Sequence, residues 1–401
     1  MVSGPFVMQC SRMIRMRDDV MDMFDADPTV LHMNSGAFGM VPRSVREAQR
    51  RWSDRVEANP VRFFRQECHD ELARVRAEVE RFLGVGDGST ALVRNVSEGV
   101  GVILDAIGLG EGDEVVVSDH GYPTVATAAA VRGAHERIAG FAIDATDDEI
   151  VEAFRAQVTE RTKLVVIDQI TSPTALMLPV KAVVDAVAPV PVYVDAAHAS
   201  GTLDVDVAGL GAAFWATNLH KWCYTPRGTG ALWVAPEYRD AIRSAVTSWT
   251  SARGFPASHD FPGTVDFTPM LAILDGLAFW REHGGFEIAA RSTDLLRTGS
   301  EIVHRQLAMA FPGDMPAYDH GWPARTAPTM RLVPLPDGLI GDAEDAAAVY
   351  RAMSDSGVEC PPVYFAGRGY IRLGGGLHVD ELDYDRCAAA LIAALRTVSG
   401  Y

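Results

Sequence analysis

"VYVDAAHASGTLDVDVAGLGAAFWATNLHKW", residues 192–222, decides how the chain folds. It contains two short apolar runs, one ending at Asp195 and the other at Asn218, with Lys221 just beyond. Runs that are apolar on both faces, instead of alternating, are what a parallel sheet covered on both sides requires. Similar runs, "TALVRN", "EVVVSD", "KLVVID" and "GALWV", recur between helical patterns such as "HDELARVRAEVERFLGV" from about residue 69 to 235. In an open sheet of this kind ligands sit at the carboxyl ends of the strands, which is where Asp195 and Lys221 fall.

The chain has 401 residues with 33 arginines and only three lysines. Arginine is effectively always protonated, whereas a desolvated lysine can lose its proton and attack a carbonyl, and only lysine forms a Schiff base. Taken alone, a lysine is most often a surface cation, and an aspartate at a strand end is most often a cap. Their pairing across one sheet edge is what carries weight.

Composition bounds the rest. The chain is 48% hydrophobic and 22% charged, ordinary values for a soluble globular protein. Its formal charge of −17 is spread along the sequence, which argues against nucleic acid or an anionic membrane as partner. The five cysteines are scattered without a C-x-x-C pair, so neither a disulfide framework nor a metal site is expected, and a cytoplasmic location fits. The N-terminus lacks the sustained apolar core of a cleaved signal, and no stretch approaches a membrane span. After Pro269 the pattern changes to long helices and then a mixed tail. We expect an N-terminal segment (1–40) that contributes to the site, a large α/β domain (41–270), and connecting helices with a small α+β domain (271–401).

The strand-end "DAAHA" followed by "NLHKW" resembles the class V aminotransferase family of fold-type I pyridoxal-phosphate enzymes, most closely its isopenicillin N epimerase-like branch, which includes C–S lyases. The ordered segments "RNVSEG", "SDHGYP", "TSPTALMLPV", "PGTVD" and "YIRLGGGLH" extend that resemblance over nearly the whole chain. It implies an α/β fold with a mainly parallel, helix-covered sheet plus a smaller C-terminal α+β domain, and pyridoxal 5'-phosphate as cofactor. By the same resemblance Lys221 is the Schiff-base lysine and Asp195 the partner of the pyridine nitrogen. His198 and Ser172 approach the phenolic oxygen. Ser97, Glu98 and Gly99 open a helix whose free N–H groups suit a phosphate, with Asn218 and His220 as further contacts. Either Tyr122 or His120 covers the cofactor ring. Thr264 reaches the phosphate of a second subunit, which makes the protein a homodimer. Arg372 grips the substrate carboxylate, and Asn34, Ser35 and Phe38 fold over the substrate. The run "RLGGGLHVDELD" departs from the family pattern and loosens the inference about substrate.

The reaction implied starts with Lys221 removing an α-proton from an amino acid. Elimination, epimerisation and transamination branch from there, and decarboxylation, which loses carbon dioxide in place of the α-proton, is a further outcome the resemblance leaves open. Cysteine desulfurases need a mobile nucleophilic cysteine, and Cys360 reads instead as a small packed hydrophobe. The segment between "VTSWT" and "FPGTVD" is short for an epimerase of this branch. The reading is therefore a C–S lyase acting on an S-substituted cysteine in secondary or thiol metabolism. Its alternatives are an isopenicillin N-type epimerase and an aminotransferase or decarboxylating deaminase. A regulator that merely retains the cofactor fold is a different class of reading, disfavoured because the lysine, the aspartate, the phosphate segment and the arginine are all present.

Overall fold

The computed structural model describes residues 20–316, 318 and 325–400. Cys10 and the first part of the expected N-terminal segment lie outside them.

The main sheet has seven strands: β2 (Thr90–Val93), β3 (Glu114–Ser118), β4 (His135–Ala139), β5 (Thr162–Asp168), β6 (Val192–Asp195), β7 (Phe214–Asn218) and β8 (Gly230–Val234). Their spatial order is β2-β8-β7-β6-β5-β3-β4. β3 to β7 run parallel, and β8 alone is antiparallel to its neighbours β7 and β2. The apolar runs are explained by double coverage. Val165, Ile167, Val192, Val194 and Trp215 face one hydrophobic cluster, which also takes in Leu72, Val75 and Val79 of the helix Cys68–Phe82. The alternate residues Leu164, Val166, Tyr193, Phe214 and Ala216 face the other, filled by Val100, Ile103 and Leu104 of the helix Val96–Ala106. A pleat of period two thus supplies both cores from one strand.

A second, three-stranded antiparallel sheet has the order β11-β12-β9, from β9 (Met330–Pro334), β11 (Pro362–Phe365) and β12 (Arg368–Gly374). It packs with the helices Phe286–Ala310, Ala343–Asp355 and Glu381–Ser399 around a separate core. The short strand β1 (Leu31–His32) pairs in parallel with β10 (Val358–Glu359), and Leu31 and Met33 join that same core. This anchors the segment that follows, residues 34–39, between the small sheet and the turn bearing Lys221. Among the described residues no helix is long and apolar enough to cross a membrane.

Candidate active site

Lys221 lies in a single helical turn, Leu219–Trp222, between β7 and β8. Its Nζ is 3.1 Å from Nε2 of His198, which follows the end of β6. Burial lowers the lysine to about 8. The Arg372 charge acts in the same direction, and Asp195 and Asp168 oppose it. The amine is therefore much closer to giving up its proton at neutral pH than an ordinary lysine. His198 is buried with Nδ1 lacking a hydrogen-bond partner. Burial, then the charges of Lys221 and Arg372, hold it well below its usual value, so the ring is neutral.

Asp195 ends β6 and accepts a hydrogen bond from the Ala197 amide at 3.0 Å. Burial raises its carboxyl, while that amide and Lys221 act to keep it ionised. Arg372 reaches the same region from β12 of the small sheet. It donates to the Ser172 carbonyl, contacts Ser172 Oγ at 3.5 Å and donates to Asn34 Oδ1 at 2.9 Å. Burial lowers it to about 10, which leaves it a cation at neutral pH. Lys221, His198, Asp195, Ser172, Asn34 and Arg372 thus form one constellation drawn from both sheets and the N-terminal segment.

The segment 34–39 closes on this constellation through glycine. A Cβ at Gly36 would lie 3.3 Å from His198 Cε1, and one at Gly39 would come within 2.5 Å of the Lys221 carbonyl oxygen. Only a residue without a side chain permits that approach. Ser35 is buried, while Phe38 stands 71% exposed.

At the start of the helix Val96–Ala106 the orphan N–H groups are mostly assigned. Asn218 Oδ1 accepts from Val96 at 2.9 Å, and Asn95 Oδ1 accepts from Glu98 at 2.9 Å. The Gly99 amide goes to the Asn95 carbonyl. That leaves the amide and hydroxyl of exposed Ser97 to face an anion. The structure differs here from the expectation that the amides of Glu98 and Gly99 are free, because Asn95 takes both through its side chain and its carbonyl. The Glu98 carboxylate accepts from the Arg94 amide and guanidinium. Asn218 acts by fixing the helix terminus. Gly99 packs over Ala216 at a virtual Cβ distance of 3.5 Å. The His220 Nδ1 is 2.9 Å from the Thr229 carbonyl.

His120 is fully buried. Its ring stacks on Phe141 at 4.2 Å, and its nitrogens contact Thr174 Oγ1 and the Phe141 carbonyl at 2.8 and 3.0 Å. Tyr122, 53% exposed on the same turn, is the member of that pair left open. Thr264 sits on an exposed loop with no described contact to the constellation of its own chain. Asp168, which sequence reasoning overlooked, is buried at the end of β5 directly beside Asp195. The signal was present: "KLVVID" and "VYVD" are both apolar runs ending in aspartate.

Cys68, Cys223, Cys360 and Cys387 are all buried free thiols. Burial pushes Cys68 up to about 12 and Cys360 well above its ordinary value, and the Cys360 Sγ is directed at the Arg372 carbonyl at 3.4 Å.

Residues 32–255 match the family model described as Aminotransferase class-V. The chain is 31% identical over 360 residues to a protein of Oryza sativa subsp. japonica named as an L-cysteine desulfhydrase, covering 82% of this chain and 72% of the relative. It is 28% identical to the isopenicillin N epimerase of Streptomyces clavuligerus, covering 92% and 95% of the two chains. Among solved structures, the complex of the cystine C-S lyase C-DES with its reaction product cysteine persulfide has a TM-score of 0.73 at 18% identity, covering 90% and 97%. That likeness bears on the fold alone. With the family model spanning more than half of its length, the chain belongs to the class V aminotransferase family.

Proposed function

We propose that this protein is a pyridoxal-phosphate-dependent C–S lyase that cleaves an S-substituted cysteine to a thiol, pyruvate and ammonia. The observation that carries the reading is the Lys221 amine, lowered to about 8 and 3.1 Å from a neutral His198. The residues fit the cofactor. The Ser97 amide and hydroxyl open toward an anion at a helix N-terminus, His198 has an unpartnered ring nitrogen, and Asp195 offers a buried carboxylate. When bound, pyridoxal phosphate supplies an electron sink for the bond-breaking electrons at the substrate's α-carbon.

The chain's own residues do the rest. Arg372, pre-aligned by Ser172 and Asn34, presents a planar fork to the substrate carboxylate. Lys221, uncharged in a sizeable fraction near pH 7 to 8, takes the α-proton. The C–S bond then breaks with its electron pair on sulfur, the thiolate collects a proton, and water releases pyruvate and ammonia. Phe38 and the 34–39 segment cover the substrate, and Tyr122 lies over the exposed side. The buried thiols support elimination over a persulfide-forming desulfurase, because none of the four described is presented as a nucleophile.

The assembly in this reading is a homodimer. Val265 beside Thr264, and Val246 and Trp249, 80% exposed, in the preceding segment, leave apolar surface around the residue offered to the second subunit's phosphate. Reduced, buried cysteines suit a cytoplasmic setting. Epimerisation is the second reading. It requires a proton donor besides Lys221, and the exposed Tyr122 is the side chain that could supply one.

The test is a panel of S-substituted cysteines followed by mass spectrometry. Thiol and pyruvate in equal amounts support the lyase. Deuterium uptake at the α-carbon with loss of chirality and no pyruvate overturns it in favour of epimerase.

A further inference from the structure

β5 and β6 are parallel neighbours, and both end in aspartate. Their register pairs Asp168 with Asp195, so the two carboxyls leave the same edge on the same face, one inter-strand spacing of about 4.8 Å apart. Each residue is only 5% exposed. Asp195 has the Ala197 amide as donor. Asp168 has its own backbone amide and no side-chain donor among the described residues. Above it passes the turn after β3, where a Cβ at Gly121 would lie 3.4 Å from Asp168 Oδ2. That bare glycine packs close to the carboxyl without offering it a side-chain partner.

The groups facing the pair are few. Lys221 approaches from the turn after β7 and is the nearest cation, acting on both acids. Tyr193, on the same face of β6, has a buried hydroxyl without a partner. Neutral His198 lies 3.1 Å from the Lys221 amine, and the Arg372 charge acts on that amine. One ammonium cannot compensate two adjacent desolvated carboxylates, so one of the pair retains its proton. The acid with the amide donor is the better anion, which leaves the proton on Asp168. Burial, then the Asp195 charge, accordingly push the Asp168 carboxyl well above the usual range.

We propose that Asp168 is a positioning residue that acts through Asp195: as a neutral carboxylic acid at physiological pH, it sets how strongly Asp195 holds the pyridine nitrogen of the cofactor. The proposal rests on the cofactor assignment made above. A neutral acid beside Asp195 keeps that carboxylate the only anion of the pair, so its charge is directed at the ring. Ionising Asp168 would split the Lys221 attraction between two anions. An anionic role and a neutral role are thereby separable, because asparagine reproduces the neutral acid's shape and donor capacity but never its anion.

The experiment uses the full chain as wild type, Asp168→Asn, Asp168→Ser and Asp195→Asn. Infrared spectra of the cofactor-free protein follow the carbonyl stretch of protonated carboxylic acids against pH, and absorbance titration with pyridoxal 5'-phosphate gives its dissociation constant. At pH 7 the wild type is expected to show an acid band that both Asp168 variants lack. Asp195→Asn should move that band's titration down by about one pH unit or more, since it deletes the neighbouring charge. Asp168→Asn should bind the cofactor within about threefold of wild type at pH 7 and lack the alkaline loss of affinity that wild type shows as Asp168 ionises. An unchanged band in Asp168→Asn and Asp168→Ser, or a loss of tenfold or more in cofactor affinity in Asp168→Asn at pH 7, overturns the proposal. If wild type itself binds no pyridoxal phosphate, the assignment of function fails. The infrared result still decides the protonation of Asp168 independently, and the Ser variant decides it if the Asn variant does not fold.

Discussion

Replacing Lys221 with methionine should stabilise the cofactor-free protein at neutral pH, and the gain should disappear in alkali. The displacement from 10.5 to about 8, at about 1.4 kcal/mol per pH unit, amounts to about 3 kcal/mol for keeping the amine charged in the fold. The sign follows from linkage. Below pH 8 the lysine is protonated in both folded and unfolded chains, so the full penalty applies. Between pH 8 and 10.5 the unfolded chain binds more protons than the folded one, stability rises with pH, and the penalty is relieved. Methionine keeps the aliphatic stem and removes the charge. Urea denaturation of both proteins at pH 7 and near pH 10 should show Lys221→Met ahead by about 3 kcal/mol at the lower pH and by less than about 1 kcal/mol at the higher. No gain at pH 7, or a gain that grows with pH, would refute the electrostatic reasoning on which the proton-abstracting role of Lys221 depends.

Arg372→Met should lower kcat/KM for the amino acid by about 100-fold, since charge-assisted hydrogen bonds to a carboxylate are worth about 1.5–3 kcal/mol; steady-state kinetics across the substrate panel checks it. Gly39→Ala forces a methyl against the carbonyls of His220 and Lys221, and a thermal melt should show a loss of about 1–3 kcal/mol together with impaired turnover. Cys360→Ala should retain thiol release within a few-fold, because this sulfur packs in the small-domain core; a loss of activity comparable to that of Lys221→Met would return the desulfurase reading.

The parts of the fold legible in the sequence were those encoded locally. Runs such as "KLVVID" and "AAFWATN" announce strands buried on both faces, and they appear as β5 and β7 with their alternate residues in two separate cores. The antiparallel direction of β8 left no such mark, because a strand apolar on both faces carries no record of its orientation. β1 was equally hidden, since its two residues are defined by pairing with β10 more than 300 residues later. Lys221 and Asp195 stood out in the sequence because Asp195 ends one apolar run and Lys221 lies three residues beyond the end of another. The burial of His120 left no such mark, because the rings packed against it, Phe141 and Phe365, come from distant segments. Glu98 stands three residues after the N-cap Asn95, and its side chain folds back to the amide of Arg94, one residue before that cap. Asp168 carries the same local mark as Asp195, an apolar run ending in aspartate, but their adjacency comes only from strand order, because nothing in the sequence says that β5 and β6 are neighbours.

The most direct measurement of the central claim is borohydride reduction of the protein loaded with pyridoxal 5'-phosphate, followed by peptide mapping. The account predicts a stable pyridoxyl label on the peptide containing Lys221 and no label in Lys221→Ala. A label on Lys163 or Lys181 instead, or undiminished turnover in the alanine variant, would contradict it.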